Sequence, residues 1–303
     1  MPLRFLLLIG LCLAACKSSE PEKPEPEDTS AVERIVALPR SADLPKGKLL
    51  RTSREADFEA MRADLVEADL VYVNLATGLE GGDLLPRTML DQLFGFGRLH
   101  GIAFDIFDRT HQDALNEFSF ARIGLGELLA RTGVNPGAYR PLLEFAGEKR
   151  LPVIALDLEP RIVATLRESG FKGLTEAERR SVSPATLRNP GFTEAVRRHL
   201  KRLRAGGGDE QAFQRELLAA DLRYETMADA LVRWFRSAPK DAQVVVVADA
   251  FAIANRHAIP DRVKRRAGKH AVVVVQVAET EIADRIHNRA HADYVWLLPG
   301  KGE

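Results

Sequence analysis

The sequence predicts an α/β fold: a mainly parallel central sheet flanked by helices, with a helical insertion. Three observations carry this. Short apolar runs alternate with longer amphipathic segments along the chain, the pattern of layered α/β folds. The runs 244–247 and 272–275 are unbroken valine, as befits strands covered on both faces of a parallel sheet. Between the strand patterns at 152–156 and 244–248 the patterning is helical.

The elements follow in order. Residues 35–38 read as an opening strand. Ser53 is placed to cap a helix to about residue 67, with Phe58, Met61 and Leu65 on one face. Residues 70–75 form a buried strand and 84–94 a helix. A strand at 102–107 leads to a helix at 112–118. Asn135-Pro136-Gly137 is a turn before a helix at 141–149. Residues 152–156 are a central strand, and Pro160 suits the first turn of the next helix. Asn189-Pro190 is a cap-plus-proline start for a helix to about 203. Gly206-Gly207-Gly208 breaks the chain before a long helix over 210–236. Strands at 244–248, 272–276 and 294–298 complete the sheet.

The amino terminus carries a different signal. Arg4 precedes an apolar run over 5–13, too short for a spanning helix, which needs about 20 residues. It ends in Leu13-Ala14-Ala15-Cys16, which resembles a bacterial lipobox. That resemblance implies a signal peptide over 1–15, cleavage before Cys16, and a diacylglyceryl group on its thiol. Several acyl chains anchor stably where one is marginal. Residues 17–31 are rich in Pro, Ser and Glu with no large apolar side chain, so they cannot offset the entropy of ordering and act as a tether. The expected organisation is a signal peptide (1–15), a lipidated cysteine and tether (16–31), and one α/β domain (32–303). Lys17-Ser18 lacks an aspartate of the kind that retains lipoproteins in some inner membranes. The expected place is the bacterial cell envelope, on the outer membrane facing the periplasm.

Composition excludes several classes. Forty-three basic and 43 acidic residues give zero formal charge, which argues against a nucleic-acid partner. The basic runs 197–202 and 262–266 read as solvated helix faces. Cys12 and Cys16 are the only cysteines; with one cleaved and one acylated, neither a disulfide nor a thiolate metal site can form.

Ligands of open α/β sheets bind beyond the carboxyl ends of the strands. Residues there are Asn74 and Thr77, Asp105 and Asp108, Asp157 and Glu159, and Asp249. Carboxylates that converge raise one another's pKa or hold a cation; equally, each aspartate can serve as a helix cap or turn former. There is no G-x-S-x-G elbow, H-E-x-x-H or Walker loop. Of seven histidines only His257 lies just after a strand end. Tyr139 and Tyr294 are candidate phenolate ligands for haem iron, with packing as the alternative role.

Several blocks resemble the ChaN-like haem-binding uptake lipoproteins of the Tiki superfamily. They are Leu70-Val71-Tyr72-Val73, the run 101–107 followed by Arg109, Gln112 and Leu115, the block 139–146 with 151–156, Glu225-Thr226-Met227-Ala228, Ala258-Ile259-Pro260-Asp261-Arg262-Val263, and Ala292-Asp293-Tyr294-Val295-Trp296. The resemblance spans nearly all of residues 50–298. It implies a ChaN-like fold, a haem cofactor and a role in haem or iron uptake. Where the family carries G-E-x-H, this chain has Asn74, Leu75, Ala76 and Thr77; its later G-x-G-H falls on Asp249, Ala250, Phe251 and Ala252. The hallmark histidines are absent, and leucine and alanine neither bind metal nor move protons.

The reading therefore favours a binding protein over an enzyme. Its expected partners are the membrane through the lipid anchor, haem or another small ligand, and a homodimer or protein partner. Candidate ligand-binding residues are Asn74, Thr77, Asp105, Asp157, Asp249, Tyr139, His257 and Tyr294. The alternatives are a degenerate scaffold for a protein partner, and a metal-dependent hydrolase using the acidic strand ends.

Overall fold

The computed structural model describes residues 47–51, 54–185, 189–203, 209–254, 256–279 and 292–299. All fall within Leu38–Glu303, which groups as one compact unit. The strand expected at 35–38, the cap at Ser53, the glycine break at 206–208, Cys16 and the tether lie outside the described residues.

Among the described residues eight strands form one sheet: β1 (Lys48–Arg51), β2 (Arg54–Glu55), β3 (Leu70–Val73), β4 (Leu99–Asp108), β5 (Val153–Asp157), β6 (Gln243–Val247), β7 (Ala271–Ala278) and β8 (Tyr294–Leu298). Their order is β2-β1-β8-β7-β3-β6-β4-β5. Every pairing from β8 to β5 is parallel; β1 runs antiparallel to both β2 and β8. The mainly parallel α/β prediction is met. The hairpin of β1 and β2 was not expected, because its four- and two-residue strands carry charged residues rather than a continuous apolar run.

The helices are α1 (Phe58–Glu67), α2 (Leu84–Gly95), α3 (Gln112–Ser119), α4 (Leu125–Thr132), α5 (Arg140–Lys149), α6 (Pro160–Ser169), α7 (Glu176–Ser181), α8 (Pro190–Leu203), α9 (Glu210–Ser237), α10 (Ala250–Ile253) and α11 (Ile259–Ala267). Helix α1 is capped by Asp57, whose carboxylate accepts from Glu59 N at 3.0 Å. Asn189 caps α8 as expected, accepting from Gly191 N at 2.8 Å. Helix α7 was missed, although Thr175 and Glu178 form a reciprocal capping box at its start.

The faces of the sheet bury different clusters. Val71, Val73, Ile102, Phe104, Val245 and Val247 pack with α1, α2 and α5 through residues such as Met61, Met89 and Phe145. Alternate residues Leu70, Tyr72, Ala103, Val244, Val246 and Val273 pack with α9 and α11 through Met227, Leu231, Ile259 and Val263. This period-two division explains why the strands read as unbroken apolar runs. Each Val, Leu, Ile, Phe or Met side chain so buried contributes about 1.5–3 kcal/mol. Helices α8 and α9, between β5 and β6, are the predicted insertion, to which α7 adds; α6 and α9 bury a third cluster around Ile162, Leu166 and Leu222.

One basic run behaves differently from its reading. Arg262 is fully buried between α9 and α11, with Nε 3.2 Å from Glu225 Oε1 and its guanidinium 4.6 Å from the Phe192 ring centre. It also pairs with Asp221. The amphipathic stem and planar head of arginine let an apparently solvated position face the interior.

Candidate functional site: a closed carboxylate cluster at the strand ends

The carboxyl ends of β4, β5 and β6 bring Asp105, Asp157 and Asp249 to one rim. The register between β4 and β5 is irregular there: four residues of β4, from Phe104 to Asp108, advance against two of β5, from Ala155 to Asp157. Such a bulge re-aims the side chains around it. Asp105 is held at both oxygens. Tyr139 donates its hydroxyl to Oδ1 at 2.8 Å, and the Asp249 amide donates to Oδ2 at 2.7 Å. Tyr139 comes from the 3-10 turn Gly137–Tyr139 ahead of α5 and packs edge-on against Phe104. Asp249 itself caps the short α10, accepting from Ala252 N at 2.9 Å.

Asp157 is held by an arginine that sequence reasoning missed. Arg223, midway along α9, donates from Nε to Oδ1 at 2.7 Å and from Nη2 to Oδ2 at 2.6 Å. Leu158 N also donates to Oδ1 at 2.7 Å. Tyr224, the next residue on α9, is buried beside this pair. The sequence carried no signal for either residue, since one arginine on a long helix looks like any other until its partner strand is placed.

Electrostatics matches this enclosure. Burial first, and then the neighbouring charge of Asp249, push the Asp105 carboxyl up to about 6. Its hydrogen bonds from Tyr139 and Asp249 N pull the other way. Burial and the charge of Asp105 drive the Tyr139 phenol well above its usual range, and burial and Asp249 do the same to Tyr224. Burial raises Asp157, against the pull of Arg223.

The remaining predicted residues do not join this cluster. Asn74 is buried and spent on β7: its Nδ2 donates to Gln276 O at 3.1 Å, and its Oδ1 accepts from Gln276 N at 2.7 Å. Thr77 is exposed in the turn after β3. His257 precedes α11, with Nδ1 3.0 Å from Asn189 Nδ2 and 3.1 Å from Asp261 Oδ2. The backbone at Gly191 lies against its Nε2, leaving no room for a Cβ. Tyr294 is fully buried on β8 and donates to Asp64 Oδ2 at 2.6 Å. Its strand is four positions from β4 in the sheet, about 19 Å at the usual strand spacing.

These placements test two ligand classes. Among the described residues no group of three or more His, Cys, Asp or Glu is arranged to hold a metal ion. The geometric reason is visible in the aspartates: Asp157 gives both oxygens to Arg223, and Asp105 gives both to Tyr139 and Asp249 N. Axial ligation of haem iron by tyrosine requires phenolate, yet burial first, and then the bound carboxylates Asp105 and Asp64, disfavour deprotonation of Tyr139 and Tyr294. Neither tyrosine fits an axial ligand as placed. His257 has Nδ1 engaged by Asn189 and Asp261, with its side chain 28% exposed.

A family-wide sequence profile described as haem-binding uptake, Tiki superfamily, ChaN, matches residues 85–263, more than half of the chain. The chain belongs to this family. The matched span includes Asp105, Tyr139, Asp157, Arg223, Asp249 and His257, and leaves out Asn74, Thr77 and Tyr294. Among solved structures, the one described as cofacial heme binding to ChaN of Campylobacter jejuni is similar with a TM-score of 0.66 at 14% identity, covering 84% of this chain and 97% of that one. At that identity the likeness establishes the ChaN-type fold. An erythromycin esterase mutant in its open conformation gives a TM-score of 0.45 at 12% identity over 76% of each chain, too low to carry an argument. No curated protein matches the chain.

Structure gives the ChaN-family blocks of this chain physical roles. In the block of Arg109, Gln112 and Leu115, Gln112 opens α3 and caps the outer edge of β5, donating to Val153 O and accepting from Ala155 N, each at 2.9 Å. Leu115 is core. In the Glu225-Thr226-Met227-Ala228 block, Glu225 is fully buried against Arg262 of the later block.

Proposed function

We propose that this chain is a lipid-anchored ligand-binding protein of the bacterial cell envelope that serves haem or iron uptake. Residues 1–15 are its signal peptide, Cys16 its acylation site and 16–31 its tether to the outer membrane. Family membership supports the uptake role. The observation that carries binding over catalysis is the closed state of the strand-end cluster. Each oxygen of Asp105 and Asp157 is already held, which leaves Asp249 alone in the cluster with a carboxylate not fully engaged, too few oxygens for a divalent cation. That argues against the metal-dependent hydrolase reading.

Titration of the mature chain with haemin tests the proposal. A saturable Soret shift is expected; it persists in Tyr139→Phe, whose phenol is committed to Asp105, and its loss in His257→Ala would mark that imidazole as the ligand. A flat titration removes haem from the account. The second reading, a scaffold for a protein partner, is favoured by Leu75 and Thr77 standing where the family pattern has other residues. It predicts that haemin leaves the melting temperature unchanged while one protein co-purifies with the tethered chain.

A further inference from the structure

β5 is the last strand on its side of the sheet, and a cleft of about 420 Å³ runs along it. One wall is the turn Arg109–His111 with the start of α3; the other is the last two turns of α9. An open strand edge ordinarily invites another strand. This one is closed over residues 153–155. Gln112 bonds Val153 O and Ala155 N, and Ser119 Oγ accepts from Val153 N at 3.0 Å. The space is therefore suited to a small ligand rather than an added peptide strand.

Its lining has two characters. Ile154, Ala230 and the half-buried Trp234 provide apolar surface. Gly101 makes room for the indole, since an added Cβ would lie 3.2 Å from it. Arg109 and Arg233 border the same space and lean on one carboxylate: Asp229 lies 2.8 Å from Arg233 Nη2 and 3.8 Å from Arg109 Nη1. Asp229 also accepts from Ser183 Oγ at 3.1 Å and stands 3.7 Å from Arg266 Nη1. One anion thus serves three guanidiniums, although Arg266 has Glu225 as well. Burial, and then the charge of Arg233, make the protonated state of Arg109 less favourable than usual. An anion entering the cleft would offset both.

We propose that this cleft binds a small aromatic carboxylate, its carboxylate between Arg109 and Arg233 and its ring against Trp234 and Ala230. The site is separate from the strand-end cluster: Arg233 follows Arg223 by ten residues on α9, about 15 Å along a helix axis. It does not depend on haem binding.

Ligand-observed fluorine NMR of 4-fluorobenzoate with the full chain tests it. Saturable line broadening is expected. The neutral 4-fluorobenzamide should bind at least about tenfold more weakly, because charge-assisted bonds to guanidinium are lost. Arg233→Gln, at an exposed position, should weaken benzoate by about tenfold with an unchanged melting temperature. Ala230→Leu should block binding by filling the cleft while leaving every charge in place. No saturable broadening with the unaltered chain, equal binding of the amide, or full binding by both variants would overturn the assignment.

Discussion

Tyr139 holds the strand-end carboxyl of Asp105 through a 2.8 Å hydrogen bond that links the turn before α5 to β4. The bond favours the ionised carboxylate, whereas burial and Asp249 favour the protonated form and prevail, leaving Asp105 near 6. An acid raised in the folded state keeps its proton after the unfolded chain has lost it. Stability is then highest below about pH 4 with respect to this group. It falls by roughly 3 kcal/mol as pH rises to about 6, and is level above. Carbon-13 NMR titration of Asp105 checks the midpoint. In Tyr139→Phe the midpoint should move above 6 and stability should fall by about 1 kcal/mol; a midpoint that stays or drops would show that the bond does not form.

Arg223 neutralises Asp157 in a two-pronged pair, and both side chains are mostly buried, at 25% and 17% exposure. Removing one partner leaves the other charge in a poorly solvated place. Arg223→Met should cost about 2–3 kcal/mol in urea unfolding, and the double variant with Asp157→Asn should recover part of it. If the double variant loses the sum of the two single-variant losses, the two residues are not coupled.

Gln112 closes the exposed edge of the sheet with one amide. Gln112→Ala should uncap Val153 O and Ala155 N, at a cost of about 1–2 kcal/mol. Faster hydrogen exchange at Ala155 and concentration-dependent self-association should accompany it. Gln112→Glu keeps the acceptor for Ala155 N but loses the donor, so Ala155 should stay protected. Unchanged exchange at Ala155 in the alanine variant would refute the capping role.

Cys16 is the proposed attachment to the membrane. Cys16→Ser should move the chain from the membrane fraction to the soluble one and remove the acyl mass from its amino terminus. A cysteine variant that still fractionates with membranes would leave the anchor elsewhere.

Much of this protein was fixed by local pattern. Unbroken valine runs specify strands buried on both faces, and prolines at 160 and 190 with Asn189 specify helix starts; these signals act within a few residues and need no partner. The three aspartates on one rim also follow from sequence, because a parallel sheet places the residue after each strand on the same side. What those aspartates do was decided only by tertiary contact. Arg223 reaches Asp157 across 66 positions of sequence, Tyr139 reaches Asp105 across 34, and Arg262 is buried by α9 rather than solvated. Side-chain charge and burial depend on which distant elements pack together, and no local period encodes that.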